Sequence, residues 1–181
     1  MAAVLRACAL TLLVLVVVGA VGAADPVSPS EYVRLVCGGF SEFQGAVQRR
    51  GEQARSALQS GARGGEGKRR LGSFFDGVVA DADRLVASLR AAGVPDVARG
   101  QDVADTLTMV TGRLRQVLID ARDRTNHLPE DSEQFRPAAQ ALLASIHSAF
   151  PGIAEGLRQF ETHEDLDRAG KREPACQRLG S

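Results

Sequence analysis

From Ser28 onward the apolar residues recur at helical spacing, and no stretch alternates them as a half-buried strand would. Val33, Val36, Phe40, Phe43 and Val47 stand three and four residues apart, continued by Ala54 and Leu58, which predicts one stripe of a helix running to about Ser60. Ser28-Pro29-Ser30-Glu31 marks its start: a capping hydroxyl, a proline in the first turn where an amide is dispensable, and a glutamate placed to reach back. Leu71, Phe74, Phe75, Val78, Ala82, Leu85, Val86 and Leu89 predict a second helix from about Arg69 to Ala92, stopped by Gly93 and Pro95. Val103, Leu107, Val110, Leu114, Val117 and Ala121 predict a third, from near Asp96 or Gly100 to Asn126. A fourth begins between Ser132 and Pro137 and uses Phe135, Ala139, Leu142, Ile146, Phe150, Ile153, Leu157 and Phe160, with Pro151-Gly152 expected to kink it. The tail from Thr162 is less regular, with one helical turn expected at Glu164 to Ala169, capped by Thr162 and answered by Asp165.

The segment from Gly61 to Gly67 holds four glycines and predicts a loop, because glycine carries a large ordering cost in a helix. Its ending, Gly67-Lys68-Arg69, resembles a phosphate-binding loop only superficially: Ala62 stands where the first glycine is needed and a helix precedes it where a strand is required. Four long helices with short connections favour antiparallel neighbours. The expected fold is therefore all-α, an up-down-up-down four-helix bundle.

Ahead of the helices, Met1 to Ala24 has the layout of an export signal: Arg6, an apolar run from Ala9 to Val18, then small residues before Asp25-Pro26. Residues 1–24 are expected to be removed and residues 25–181 to form one domain. The alternative is an uncleaved membrane anchor, since Ala7 to Ala24 carries no charge. Cys8 precedes the apolar run instead of following it, so it is not a lipoprotein cysteine and leaves with the signal.

Without Arg6, the 22 basic residues of the whole chain nearly balance its 22 acidic ones, which removes any global charge argument for nucleic acid. Arginine outnumbers lysine twenty to two, as in proteins of high-GC bacteria. With no tryptophan and one tyrosine, an aromatic stacking surface is not expected either.

Cys37 and Cys176 are the two cysteines left after cleavage, and an even pair in an exported chain reads as a disulfide. They bracket almost the whole domain and would staple the tail to the first helix. In an up-down-up-down bundle the fourth helix returns the chain to the end where the first begins, so the two can meet.

Candidate binding chemistry is sparse. Arg49, Arg50, Lys68, Arg69 and Arg70 form a basic cluster at one predicted tip, beside Glu130, Asp131 and Glu133 of the next turn. Mutual neutralisation is the plainer reading, and an anionic envelope component is the functional one. His147 flanks Ile146 as a core-edge residue, His127 lies in a turn, and His163 opens an acidic stretch that reads as a helix start and not as a metal site. No arrangement of serine, histidine and carboxylate can be singled out, so no catalytic residue, metal or cofactor is assigned.

Glu173-Pro174-Ala175-Cys176-Gln177, together with Tyr32 to Phe40 and Ala91-Ala92-Gly93-Val94-Pro95-Asp96, resembles a group of small exported proteins and lipoproteins of actinobacteria. That resemblance implies export and a bundle fold, and transfers no functional residue. The expected function is thus a non-enzymatic, secreted or envelope-exterior binding module. The alternative is a carrier holding a small apolar ligand, lipid or haem, between its helices.

Overall fold

The structure, a computed structural model, describes residues 26–59, 64–147 and 162–179. The export signal, the Pro151-Gly152 kink and the apolar positions Phe150 to Phe160 lie outside these residues. The described part is helical: α1 (Pro29–Gln59), α2 (Gly64–Ala91), α3 (Gly100–Thr125), α4 (Ser132–His147), α5 (Glu164–Gly170) and α6 (Pro174–Leu179). Among the described residues there is no strand, and the single β-bridge joins Val27 to Pro95. None of these helices is long and apolar enough to cross a membrane.

The start of α1 follows the expected cap by half. Ser28 Oγ accepts the Glu31 amide at 3.3 Å, but the Glu31 carboxylate does not return the favour; it accepts from Arg34 Nε at 3.0 Å. That guanidinium holds the Glu31 carboxyl below its ordinary range. At the α2–α3 connection, Val27 donates to the Val94 carbonyl (2.8 Å) and accepts from the Asp96 amide (2.7 Å), pinning the entry of α1 beside the turn. Gly93 takes φ 75° there, a left-handed conformation that glycine adopts freely. Arg99 adopts φ 58° immediately before α3, which costs a residue with a side chain about 1 kcal/mol.

Three corrections to the sequence reading follow. First, α2 begins at Gly64, five residues before the expected Arg69, so half of the glycine-rich stretch is helical. Gly64 and Gly67 are buried, and packing overrides their low intrinsic propensity. Second, α5 is capped at His163 and not at Thr162, and His163 makes no side-chain capping bond. Third, the tail contains a further helix, α6, which carries Cys176.

Gly39 lies against Ser88 and Leu85, while Arg50, eleven positions later, reaches Gly77 and Asp81. The partners descend as the positions ascend, so α1 and α2 run in opposite directions. The α2–α3 pair is likewise opposed, since Arg115 meets Asp83 and Ala121 packs with Leu71.

The core falls into three parts along the helices. At the end where α1 starts, Tyr32, Val33, Val36, Leu89, Leu107 and Leu166 pack together. The middle layer is Val78, Val79, Ala82, Leu114 and Leu118. At the far end Leu71, Phe75 and Ala121 meet Leu128, Phe135 and Leu142, so α4 packs across the ends of α2 and α3. Asp131 Oδ1 caps α4 by accepting the Glu133 and Gln134 amides at 2.9 and 3.1 Å. The short helices α5 and α6 pack on α1.

Candidate functional site

α1 has two working faces. One meets α2 and is closed. Gly39 leaves no room for a Cβ beside Ser88, which lets the helices approach. Three turns further on, Arg50 crosses over Gly77 and donates through Nε to Asp81 Oδ2 at 2.5 Å. Asp81 is 2% exposed at its side chain and also accepts from Arg84. A carboxylate so deep is tolerated because two guanidiniums answer it. The pairing raises the Arg50 pKa, its hydrogen bond to Asp81 being the main cause.

The other face of α1 looks towards α3 and the C-terminal helices, and here an apolar cleft of about 1000 Å³ remains. Val36, Phe40, Phe43 and Val47 supply the α1 wall. Leu107, Leu114 and Leu118 of α3 face them, with Val78 of α2 at the base. Leu166 and Leu179 close the end nearest the disulfide. From Val36 to Gln48 the α1 wall extends about 18 Å, at 1.5 Å per helical residue.

Cys37 and Cys176 are joined, with Cα atoms 5.0 Å apart, and both line this cleft. The bridge therefore does more than tie the tail to the first helix: it fixes the wall formed by α5 and α6. A disulfide is also the mark of an oxidising, extracytoplasmic compartment.

The ionic and polar lining is small. Asp167 and Lys171 form a pair at 2.6 Å, and the other polar side chains among the described lining residues are Gln44, Gln48 and Gln177. None of the described lining residues is a histidine, methionine or tyrosine, and both cysteine sulfurs are spent on each other. Among the described lining residues there is thus no axial ligand for an iron, and the His147 side chain lies outside the described residues.

The basic residues singled out in the sequence are divided. Arg50, Arg69 and Arg70 line one shallow cleft between α1 and α2, whereas Arg49 lines a neighbouring one with Asp81 and Arg84. Arg50 is held by Asp81, Arg70 by Glu66 at 2.5 Å, and Lys68 faces Glu130 at 3.6 Å. Among the described residues no acid pairs with Arg49 or Arg69. The acidic stretch after His163 is also internally answered: Glu164 and Asp165 bind Arg168, and Asp167 binds Lys171. Among the described residues no group of three histidine, cysteine, aspartate or glutamate side chains converges as a metal site would.

Sequence reasoning missed the cleft because helical periodicity marks which positions are apolar, not whether a neighbour fills the space between them. It also missed Asp81, which interrupts the apolar stripe of α2 without a local sign that Arg50, 31 positions away, answers it. No protein-family model, curated protein or solved structure matches this chain.

Proposed function

We propose that this chain is an exported, non-enzymatic binding protein of the cell exterior that holds a small apolar ligand, an acyl chain in preference to haem, between its helices. The apolar cleft between α1, α3 and the C-terminal helices carries this reading. A bilayer's hydrocarbon core is about 30 Å thick, so a single leaflet's chain reaches about 15 Å, close to the length of the α1 wall. An export signal at residues 1–24, cleaved in the mature protein, and likeness to small exported proteins of actinobacteria belong to the same reading, and the disulfide is in keeping with them.

The bundle is read as up-down-up-down. The alternating directions of α1, α2 and α3, and the bridge that ties α6 to Cys37 near the start of α1, support this reading.

Nile red, a neutral dye that brightens in apolar surroundings, tests the function. Saturable one-to-one binding is expected, with at least a tenfold loss in both Val47→Phe and Val47→Trp, which enlarge a side chain lining the cleft. Retained helicity and thermal midpoint would show that those variants fold. An absence of saturable binding, or binding that neither variant affects in a folded protein, would overturn the proposal.

A second reading, attachment to an anionic envelope component, rests on Arg49 and Arg69, which no described acid neutralises. Replacing Arg49, Arg50, Lys68, Arg69 and Arg70 together is expected to abolish sedimentation with phosphatidylglycerol vesicles. Unchanged sedimentation would remove this reading.

A further inference from the structure

The polar atoms around the cleft define the head of the molecule that it takes. We infer that the ligand is a single-chain amphiphile with an uncharged, hydrogen-bonding head, such as a monoacylated polyol, and not an anionic phospholipid or free fatty acid. The inference rests on the apolar-carrier reading above and gives it a ligand class.

The charges near the cleft argue against an ionised head. Lys171 is the one cation among the described lining residues, and Asp167 is the one anion; Lys171 Nζ stands 2.6 Å from Asp167 Oδ2. They sit one helical turn apart at the end of α5, so the pair is local and forms without any ligand. An anionic head placed beside Lys171 would also meet the Asp167 carboxylate, and would have to compete with it for the ammonium. A cationic head would meet the reverse conflict. Like-charge contact of this kind discriminates by repulsion, without needing a tighter contact to the favoured head.

What remains on the rim is neutral and versatile. Gln44 and Gln48 stand one turn apart on α1, and Gln177 stands on α6. A carboxamide both donates and accepts, which matches hydroxyl groups, themselves donors and acceptors. Gln177 already spends its amide nitrogen on the Lys171 carbonyl at 2.8 Å, which leaves its oxygen to accept from a hydroxyl. The tail has the apolar length of the cleft to fill. The cleft walls supply burial while the rim supplies selection, the usual division in small-molecule sites.

Displacement of Nile red by three amphiphiles of equal chain length, each below its micellar concentration, tests the inference: a monoacylglycerol, a lysophosphatidylglycerol and an alkyltrimethylammonium salt. The monoacylglycerol is expected to compete at a concentration at least tenfold lower than either charged probe. Asp167→Asn leaves Lys171 without its partner and should bring the anionic probe to within about threefold of the neutral one. Lys171→Gln should do the same for the cationic probe. Equal or tighter binding of a charged probe by the native protein, or a preference unmoved by both substitutions, would overturn the inference while the carrier reading stands. Failure of Nile red itself to bind would overturn both.

Discussion

The two faces of α1 are built from similar residues and end in opposite states. Towards α2, small residues and a buried ion pair bring the backbones together: Gly39 receives Ser88, and Arg50 passes over Gly77 to Asp81. Towards α3 and the C-terminal helices, four large apolar residues line a space of about 1000 Å³ that they do not fill. Well-packed interiors leave few voids larger than a water molecule, and the α2 face meets that standard, whereas the described residues leave an open apolar cleft on the other face, the place of the proposed ligand. The buried ion pair lies on one side of the helix and the proposed binding cleft on the other.

The disulfide should separate the two faces most strongly. Replacing both Cys37 and Cys176 with serine is expected to lower stability by about 3 to 5 kcal/mol, the range for a long closed loop, as measured by urea denaturation. Because the bridge fixes the cleft wall, Nile red affinity should fall as well, even at temperatures where the protein remains folded. Lost stability with unchanged affinity would detach the bridge from the cleft.

The closed face should respond next. Arg50→Ala leaves the Asp81 carboxylate buried with Arg84 alone, and is expected to cost about 2 to 3 kcal/mol with no change in Nile red affinity. Gly77→Ala puts a methyl group where the Arg50 guanidinium lies and should cost about 1 kcal/mol. In the Arg50→Ala background that second cost should vanish, since the two changes share one contact. Additive costs in the double mutant would show that Gly77 acts through something other than Arg50.

Tyr32 reports on the end of α1 beneath the C-terminal helices. It is 1% exposed, and burial pushes its phenol up to about 12. An acid whose pKa is raised by folding stabilises the native state fully below its unfolded value, near 10, and loses that contribution as pH climbs to the folded value. Stability should therefore fall between about pH 10 and pH 12, and Tyr32→Phe should flatten that part of the profile. Without the disulfide the fall should end at a lower pH and be smaller, if α5 and α6 loosen from α1 and leave the phenol less buried. The smallest effect is expected at Arg99, on neither face: Arg99→Gly removes a left-handed conformation and should raise stability by about 0.5 to 1 kcal/mol in thermal denaturation.

Much of this was legible in the sequence. The apolar stripes of α1, α2 and α3 gave the helices and most of their buried positions, and the cysteine pair gave the bridge that the structure contains. Within α3 the reading chose Val117 where Leu118 is the buried residue, a shift of one position that the local pattern does not decide because both are apolar. The glycines at the start of α2 misled for a physical reason: propensity counts the cost of ordering Gly64 and Gly67, and it cannot see the packing that offsets it. The candidate site was the least legible part. The sequence pointed to the charged tip, where two of the four arginines and the lysine are already answered, and could not reveal a cleft between α1, α3 and two short helices of the tail.

A single tryptophan settles which face of α1 binds, because the chain has none of its own. Phe40→Trp places the reporter in the cleft, and Ala46→Trp places it on the side facing α2. Titration with a short-chain monoacylglycerol should move the Phe40→Trp emission to shorter wavelength and saturate at one equivalent, leaving the Ala46→Trp spectrum unchanged. An unmoved Phe40→Trp spectrum, or an equal shift at both positions, would contradict the assignment of the cleft as the binding site.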